Sequence, residues 1–262
     1  VLALPTTGTH WLETVPVTAV SPPHSPPALA ANAQGQLVLA WVQDDTLWRQ
    51  EGQWQPAERQ IAWQPATKVA IGSVSDPAVA MADNGRLYLA WVADDAIVVN
   101  QCLTGECTPP AAVAAANCEQ PPAQGNRQPT LAVNGDTVLL VWANDAGVLP
   151  YAAWSTADLP PTAAAGCVPE AADALQLDAA FDLVLATSTG SIGLTRFDGA
   201  EWAGVEAVGN GRFPAIVVDA SGQQHVAFCT DEGVVYWGNG ATEPIDDAPC
   251  AGRPTLAIDA QG

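Results

Sequence analysis

Positive charge is nearly absent from this chain. Seven arginines and one lysine, Lys68, stand against 28 acidic residues, giving a formal net charge of −20. Such a chain repels phosphate backbones and anionic lipid surfaces, which argues against nucleic acid and anionic membranes as partners. Long apolar runs are missing too: no stretch of eighteen or more occurs, so no membrane insertion is expected. There is no C-x-x-C pair, and the only histidines are His10, His24 and His225. A zinc site is therefore poorly supported. G-x-S-x-G, P-loop, H-E-x-x-H and D-x-D-x-D-G patterns are absent, as is any N-x-S/T acceptor. No initiator methionine or basic n-region precedes Val1, the mark expected of a processed or partial chain.

Punctuation, by contrast, is abundant. With 22 glycines and 22 prolines among 262 residues, many short strands are expected rather than long helices. Six cysteines, an even number, read better as disulfides of an exported protein than as buried free thiols.

One phrase recurs: 27-PALAANAQGQLVLAW-41, 77-PAVAMADNGRLYLAW-91, 129-PTLAVNGDTVLLVW-142, a degenerate 173-DALQLDAAFDLVLAT-187, 214-PAIVVDASGQQHVAF-228 and a partial 254-PTLAIDAQG-262. The starts lie 50, 52, 44, 41 and 40 residues apart, a period that signals repeated units sharing their cores. Each copy reads as a small, apolar strand, a turn with Gly after Asn, Asp or another polar residue, and a longer strand ending on Trp41, Trp91, Trp142 or Phe228. Glycine supplies the positive φ that such hairpins need. A third strand follows (47–50, 97–101, 148–154, 192–197, 234–237), then an irregular fourth, as at 51–61 and 198–208. Four antiparallel strands per unit is the blade of a β-propeller, and this strict internal register favours it over a β-sandwich.

The expected fold is all-β: a six-bladed propeller filling residues 1–262 as one domain. Its sixth blade would begin at 254 and be completed by 1–20, where 1-VLAL-4 matches the second strands and 9-THWLETVPVTAV-20 the outer ones. Closure of this kind leaves no free sheet edge. A window cut from a longer tandem array has the same phase at both ends and stays open as the alternative.

Loops before strand one and after strand two emerge on one face of a propeller. The first set holds His24, Ser25, Asp76, Arg127, Arg212 and Arg253, which could form an anion-binding funnel or simply cap the blade entries. The second forms an acidic collar of Asp44, Asp45, Asp94, Asp95, Asp145 and Asp231. Clustered oxygens there could hold Ca²⁺, the one cofactor considered, although solvated turns with Asx hydrogen bonds account for them better. Among the tryptophans, Trp41, Trp91 and Trp142 occupy the core position of the repeat. Trp11, Trp54 and Trp202, with the less regular Trp48, Trp63, Trp154 and Trp237, are better placed to stack on a sugar. For the cysteines the order of blades favours Cys102–Cys107, Cys118–Cys167 and Cys229–Cys250 among fifteen possible connectivities.

The repeat Pro-x-Leu-Ala-Val-Asp-x-x-Gly with its aromatic strand resembles bacterial extracellular propellers of the sialidase-like (BNR-like) group. That resemblance implies three arginines gripping a substrate carboxylate, one in a segment similar to 212-RFP-214, with a Tyr–Glu nucleophile pair and an acid/base Asp. The chain departs from the pattern. It has no full Asp-box, 198-DGAEW-202 only approximating its end, and Tyr88, Tyr151 and Tyr236 all fall within strands. The expected function is thus a non-catalytic, exported binding or scaffolding propeller, a part of some larger protein or assembly, with protein or glycan partners at the cell surface. A sialidase-like glycosidase is the alternative.

Overall fold

In the computed structural model, residues 25–103, 106–114, 125–162, 164–247, 249–250 and 252–256 are described. They form five antiparallel sheets and no helix. Blade 1 holds β1 (Ala28–Ala31), β2 (Gln36–Gln43) and β3 (Thr46–Gln55), with β4 (Gln60–Trp63) and β5 (Thr67–Ile71) both paired to β3. Blade 2 holds β6 (Val74–Met81), β7 (Leu87–Ala93) and β8 (Ala96–Leu103), with β9 (Glu106–Cys107) and β10 (Ala111–Val113) at its edge. Blade 3 runs β11 (Asn126–Asn134), β12 (Thr137–Asn144), β13 (Pro150–Ser155), β14 (Gly166–Cys167). Blade 4 runs β15 (Ala174–Leu177), β16 (Asp182–Ala186), β17 (Ser191–Arg196), β18 (Glu206–Asn210). Blade 5 runs β19 (Arg212–Val218), β20 (Gln224–Cys229), β21 (Val234–Gly238), β22 (Ala241–Asp246).

The sequence phrase becomes structure at equivalent registers. Ala28, Ala78, Thr130, Ala174 and Ala215 pair with Ala40, Ala90, Val141, Ala186 and Ala227. The residue that closes the first hairpin sits in the left-handed region at Gly35, Gly85 and Gly222 (φ 74, 81 and 85°). The degenerate copy has no glycine there, and Phe181 takes the conformation instead, at φ 67°. Its ring holds it there: Phe181 is buried within 6.4 Å of the Phe197 ring, in the core between blades 3 and 4.

The hydrophobic core is not central but lies between successive sheets. Four clusters fill the spaces between blades 1 and 2, 2 and 3, 3 and 4, and 4 and 5. Trp91 and Trp142 are essentially water-free in these layers, each contributing roughly 1.5–3 kcal/mol by burial. The preceding blade covers Val79, Leu131, Leu175 and Ile216, all below 9% exposed, whereas the equivalent Leu29 of blade 1 is 61% exposed.

Two expectations change. Residues 51–55 belong to β3 rather than to a fourth strand, because the chain continues straight to a turn at 56–59 and only then folds back. Gly52 permits this: a Cβ there would come within 2.7 Å of Trp63, which lies across it. In blade 4 the fourth strand is Glu206–Asn210, and 198–205 is a loop pinned by the Phe197–Trp202 bridge. The proposed sixth blade, built from 254 onward and 1–20, lies mostly outside the described residues; 254–256 carry no strand.

Candidate functional site

Three candidates at the blade entries, Asp76, Arg127 and Arg212, lie at or just before a bulge. Asp76, Gln128 and Phe213 directly precede prolines, adopt φ of 47, 50 and 53°, and mark register shifts in β6, β11 and β19. Arg127 and Arg212 stand one residue before that position, whereas Arg253, which directly precedes Pro254, shares the register of Asp76. The arginines therefore belong to two rings rather than one.

Each is met by carboxylates. Arg127 lies 3.4 Å from Asp173 and 3.9 Å from Asp145, and Arg212 lies 3.4 Å from Asp231. Arg253 is open to water yet hemmed in by protein, which lowers its pKa, while the Asp76 carboxylate acts in the opposite direction. Ser25 is buried, and its Oγ accepts a hydrogen bond from Asp76 N at 3.3 Å. His24 falls outside the described residues.

The acidic collar resolves into turns. Asp44-Asp45 and Asp94-Asp95 are two-residue hairpin loops with both residues at positive φ (50 and 52°, 47 and 64°), the geometry of a type I′ turn. Asp145 and Asp231 are exposed and serve the arginine pairs. Among the described residues no group of three His, Cys, Asp or Glu side chains could hold a metal ion.

Cys102–Cys107 and Cys229–Cys250 are disulfides. Cys167 is disulfide-bonded as well; the Cys118 pairing proposed for it lies outside the described residues. Of the tryptophans considered for stacking, Trp154 and Trp237 are buried in the core, and Trp202 packs on Tyr151 and Phe197. Trp48 stacks on Trp41 and lies under Lys68 Nζ at 5.2 Å. Trp54, 38% exposed, and the half-exposed Trp63 remain open on the β3–β4 hairpin; Trp11 is outside the described residues.

Sequence reasoning missed a polar cleft between blades 1 and 2. Gln36, Glu51, Gln53 and Gln64 surround a floor of Leu37, Met81, Leu87 and Cys102, enclosing about 80 Å³. Beneath it lies Arg49, a charged side chain only 7% exposed, whose Nη2 is 3.5 Å from Glu51 Oε1. Asn100 alternates with Val98 and Cys102 onto the face toward blade 1; it is 3% exposed and its Oδ1 has no hydrogen-bond partner.

The space has a structural cause. Cys102 faces Leu87 at the register where Trp154 faces Val138 one blade on. An indole fills the gap between blades 2 and 3; a small sulfur leaves it open between 1 and 2. No repeat signal could reveal this, because only blade 1 has arginine at the Arg49 register.

No protein-family model matches the chain, and no curated protein sequence does. Solved structures do. A mutant of Aleuria aurantia lectin in complex with Fucα1-6GlcNAc is 12% identical with a TM-score of 0.55, over 88% of this chain and 81% of that one. SapL1 lectin in complex with α-methyl fucoside is 10% identical with a TM-score of 0.54, over 87% and 81%. At such identities the likeness establishes the architecture: four-stranded antiparallel sheets arranged as in β-propeller lectins.

Proposed function

We propose that this is a non-catalytic, exported glycan-binding propeller of six blades, and that the cleft between blades 1 and 2 takes the edge of a neutral sugar. The observation that carries the reading is Glu51 held by the buried Arg49 among three glutamine amides over an apolar floor, in a fold shared with lectins. A carboxylate accepts two hydroxyl protons, amides serve as donor or acceptor, and the floor meets a C–H face. At 80 Å³, against ~30 Å³ for a water, the enclosed part accommodates two or three hydroxyl-sized groups rather than a whole ring. The rest of the sugar extends outward past the amide rim, because Trp54 and Trp63 share the opposite face of the sheet with Gly52. A net charge of −20 disfavours acidic glycans.

Little favours a sialidase. Arg127 and Arg212 are bound to carboxylates, and burial holds the Tyr88 and Tyr236 phenols above their ordinary pKa, the wrong direction for a nucleophile. Disulfides support export to an oxidising compartment. A protein-scaffolding role within a larger assembly is the broader form of the same reading.

A glycan array tests it. The intact protein is expected to retain neutral glycans, and Glu51→Gln to lower that binding at least 10-fold, the loss of one charge-assisted contact pair. Retention unaffected by Glu51→Gln moves the site elsewhere, no retention overturns the lectin reading, and hydrolysis of a fluorogenic sialoside reinstates the enzyme.

A further inference from the structure

We infer that Cys102–Cys107 is a reversible thiol-exchange site that governs the cleft between blades 1 and 2; the control of binding rests on the lectin reading above, the exchange chemistry does not. The two disulfides in the described residues differ in situation. Cys229–Cys250 spans 21 residues and ties the fully buried Cys229 of β20 to the segment beyond blade 5. Cys102–Cys107 spans five, and its cysteines face each other across the β8–β9 hairpin. A cross-link closing so short a loop removes little chain entropy, so the fold tolerates its opening better.

Its two sulfurs are unequal. Cys102 is 2% exposed and forms part of the cleft floor, whereas Cys107 is exposed at the blade edge. Arg49 Nη1 donates toward Cys107 Sγ at 3.1 Å, while Nη2 of the same guanidinium is 3.5 Å from Glu51 Oε1. One buried cation therefore touches both the disulfide and the carboxylate of the cleft.

The chemistry follows from these positions. The thiolate of an external dithiol attacks the accessible Cys107 Sγ, forming a mixed disulfide and releasing Cys102 sulfur, which takes a proton. The second thiol of the reagent then attacks its own sulfur in the mixed disulfide. Cys107 leaves as a thiolate beside Arg49, and the reagent departs as a cyclic disulfide. Two electrons pass to the protein, and the reverse reaction restores the bond. A positive neighbour lowers a thiol's pKa, so Arg49 stabilises the leaving Cys107; Glu51 and Glu106, the acidic groups nearby, oppose it. A Cys107 thiolate competes with Glu51 for the guanidinium, and the freed Cys102 side chain moves in the floor. Glu51 loses its anchor, and the cleft loses its shape.

Native protein treated with graded dithiothreitol, trapped with iodoacetamide and mapped by mass spectrometry reads the exchange. Cys102 and Cys107 are expected to label at reductant concentrations at least 10-fold below those needed for Cys229 and Cys250. In the reduced protein, alkylation of Cys107 is expected to reach half its maximal rate at a pH about one unit lower than in Arg49→Met. Simultaneous reduction of both bridges, or a pH profile unmoved by Arg49→Met, overturns the exchange site. Binding is read separately, as retention on the glycan spots bound by the oxidised protein. Reduction and Cys102→Ser/Cys107→Ser are both expected to lower retention at least 5-fold. Full retention by the reduced protein and the double variant overturns control of the cleft; if the oxidised protein binds no glycan, the lectin reading fails and the control with it, while the labelling result decides the exchange site.

Discussion

Asp182 lies fully buried at the start of β16, accepting from Arg196 Nε and Nη2 at 2.9 and 2.6 Å and from Gln224 Nε2 at 2.7 Å. Its partner is different: the Arg196 side chain is 46% exposed and can recover water if the pair is broken. Arg196→Met strands a buried carboxylate and is expected to cost about 3 kcal/mol in urea unfolding, whereas Asp182→Asn costs about 1 kcal/mol. Equal losses would mean that the carboxylate is not isolated by its surroundings. Asp219, in the first hairpin of blade 5, behaves oppositely to a stranded acid. Hydrogen bonds from Ser221 Oγ, then Gln223 N, with His225 and Ser221 N adding, lower its pKa to about 2. The folded state thus prefers the carboxylate. Its contribution is complete above the unfolded value near 3.9 and is lost as pH falls toward 2. Asp219→Asn should accordingly narrow the stability difference between pH 5 and pH 2.5; an unchanged difference would contradict the assignment.

Turns and bulges act at the next scale, that of the element. The type I′ loop at Asp94-Asp95 places two acids where Asn-Gly is preferred, and replacing them with that pair is expected to raise stability by about 0.5–1 kcal/mol. Calcium should shift the Tm of neither form; a shift abolished by the replacement would restore the collar as a metal site. Elements were also the scale at which the sequence was most legible. Hairpin glycines and terminal aromatics recur because every blade faces the same packing problem, so the first three strands could be read from Gly85, Trp91 and their copies. Fourth strands could not, since the outer edge meets solvent and tolerates a split pair such as β4 and β5. The arginines misled for a register reason: Arg127 and Arg212 stand two residues before their prolines, behind the left-handed Gln128 and Phe213, whereas Arg253 stands one residue before Pro254. The cleft was invisible because Arg49 and Glu51 break the repeat rather than follow it, and a one-off residue has no period to betray it.

For the whole molecule, two global properties follow from composition and layering. The hydrophobic cores lie between sheets, so each interior tryptophan ties two blades together. Trp142→Ala is expected to cost about 3–5 kcal/mol, since it also strands Asn126 Oδ1, to which the indole Nε1 donates at 3.0 Å. A net charge of −20 repels itself, and the repulsion is screened over roughly 10 Å at 0.1 M salt. Raising sodium chloride from low concentration to 0.5 M should therefore raise Tm, a trend that calorimetry can reverse or confirm. The stacking of Lys68 over Trp48 has a practical side. It is the only side-chain amine in the chain, and it is attached to the same β3–β5 edge that supports the cleft. Dyes and resins that couple through the lysine side chain will therefore fasten the protein by the blade whose binding is to be measured, with Trp48 emission reporting the modification. Carboxylate-directed coupling has 28 side chains to choose from and spreads the attachment over the molecule, leaving the cleft of most copies free.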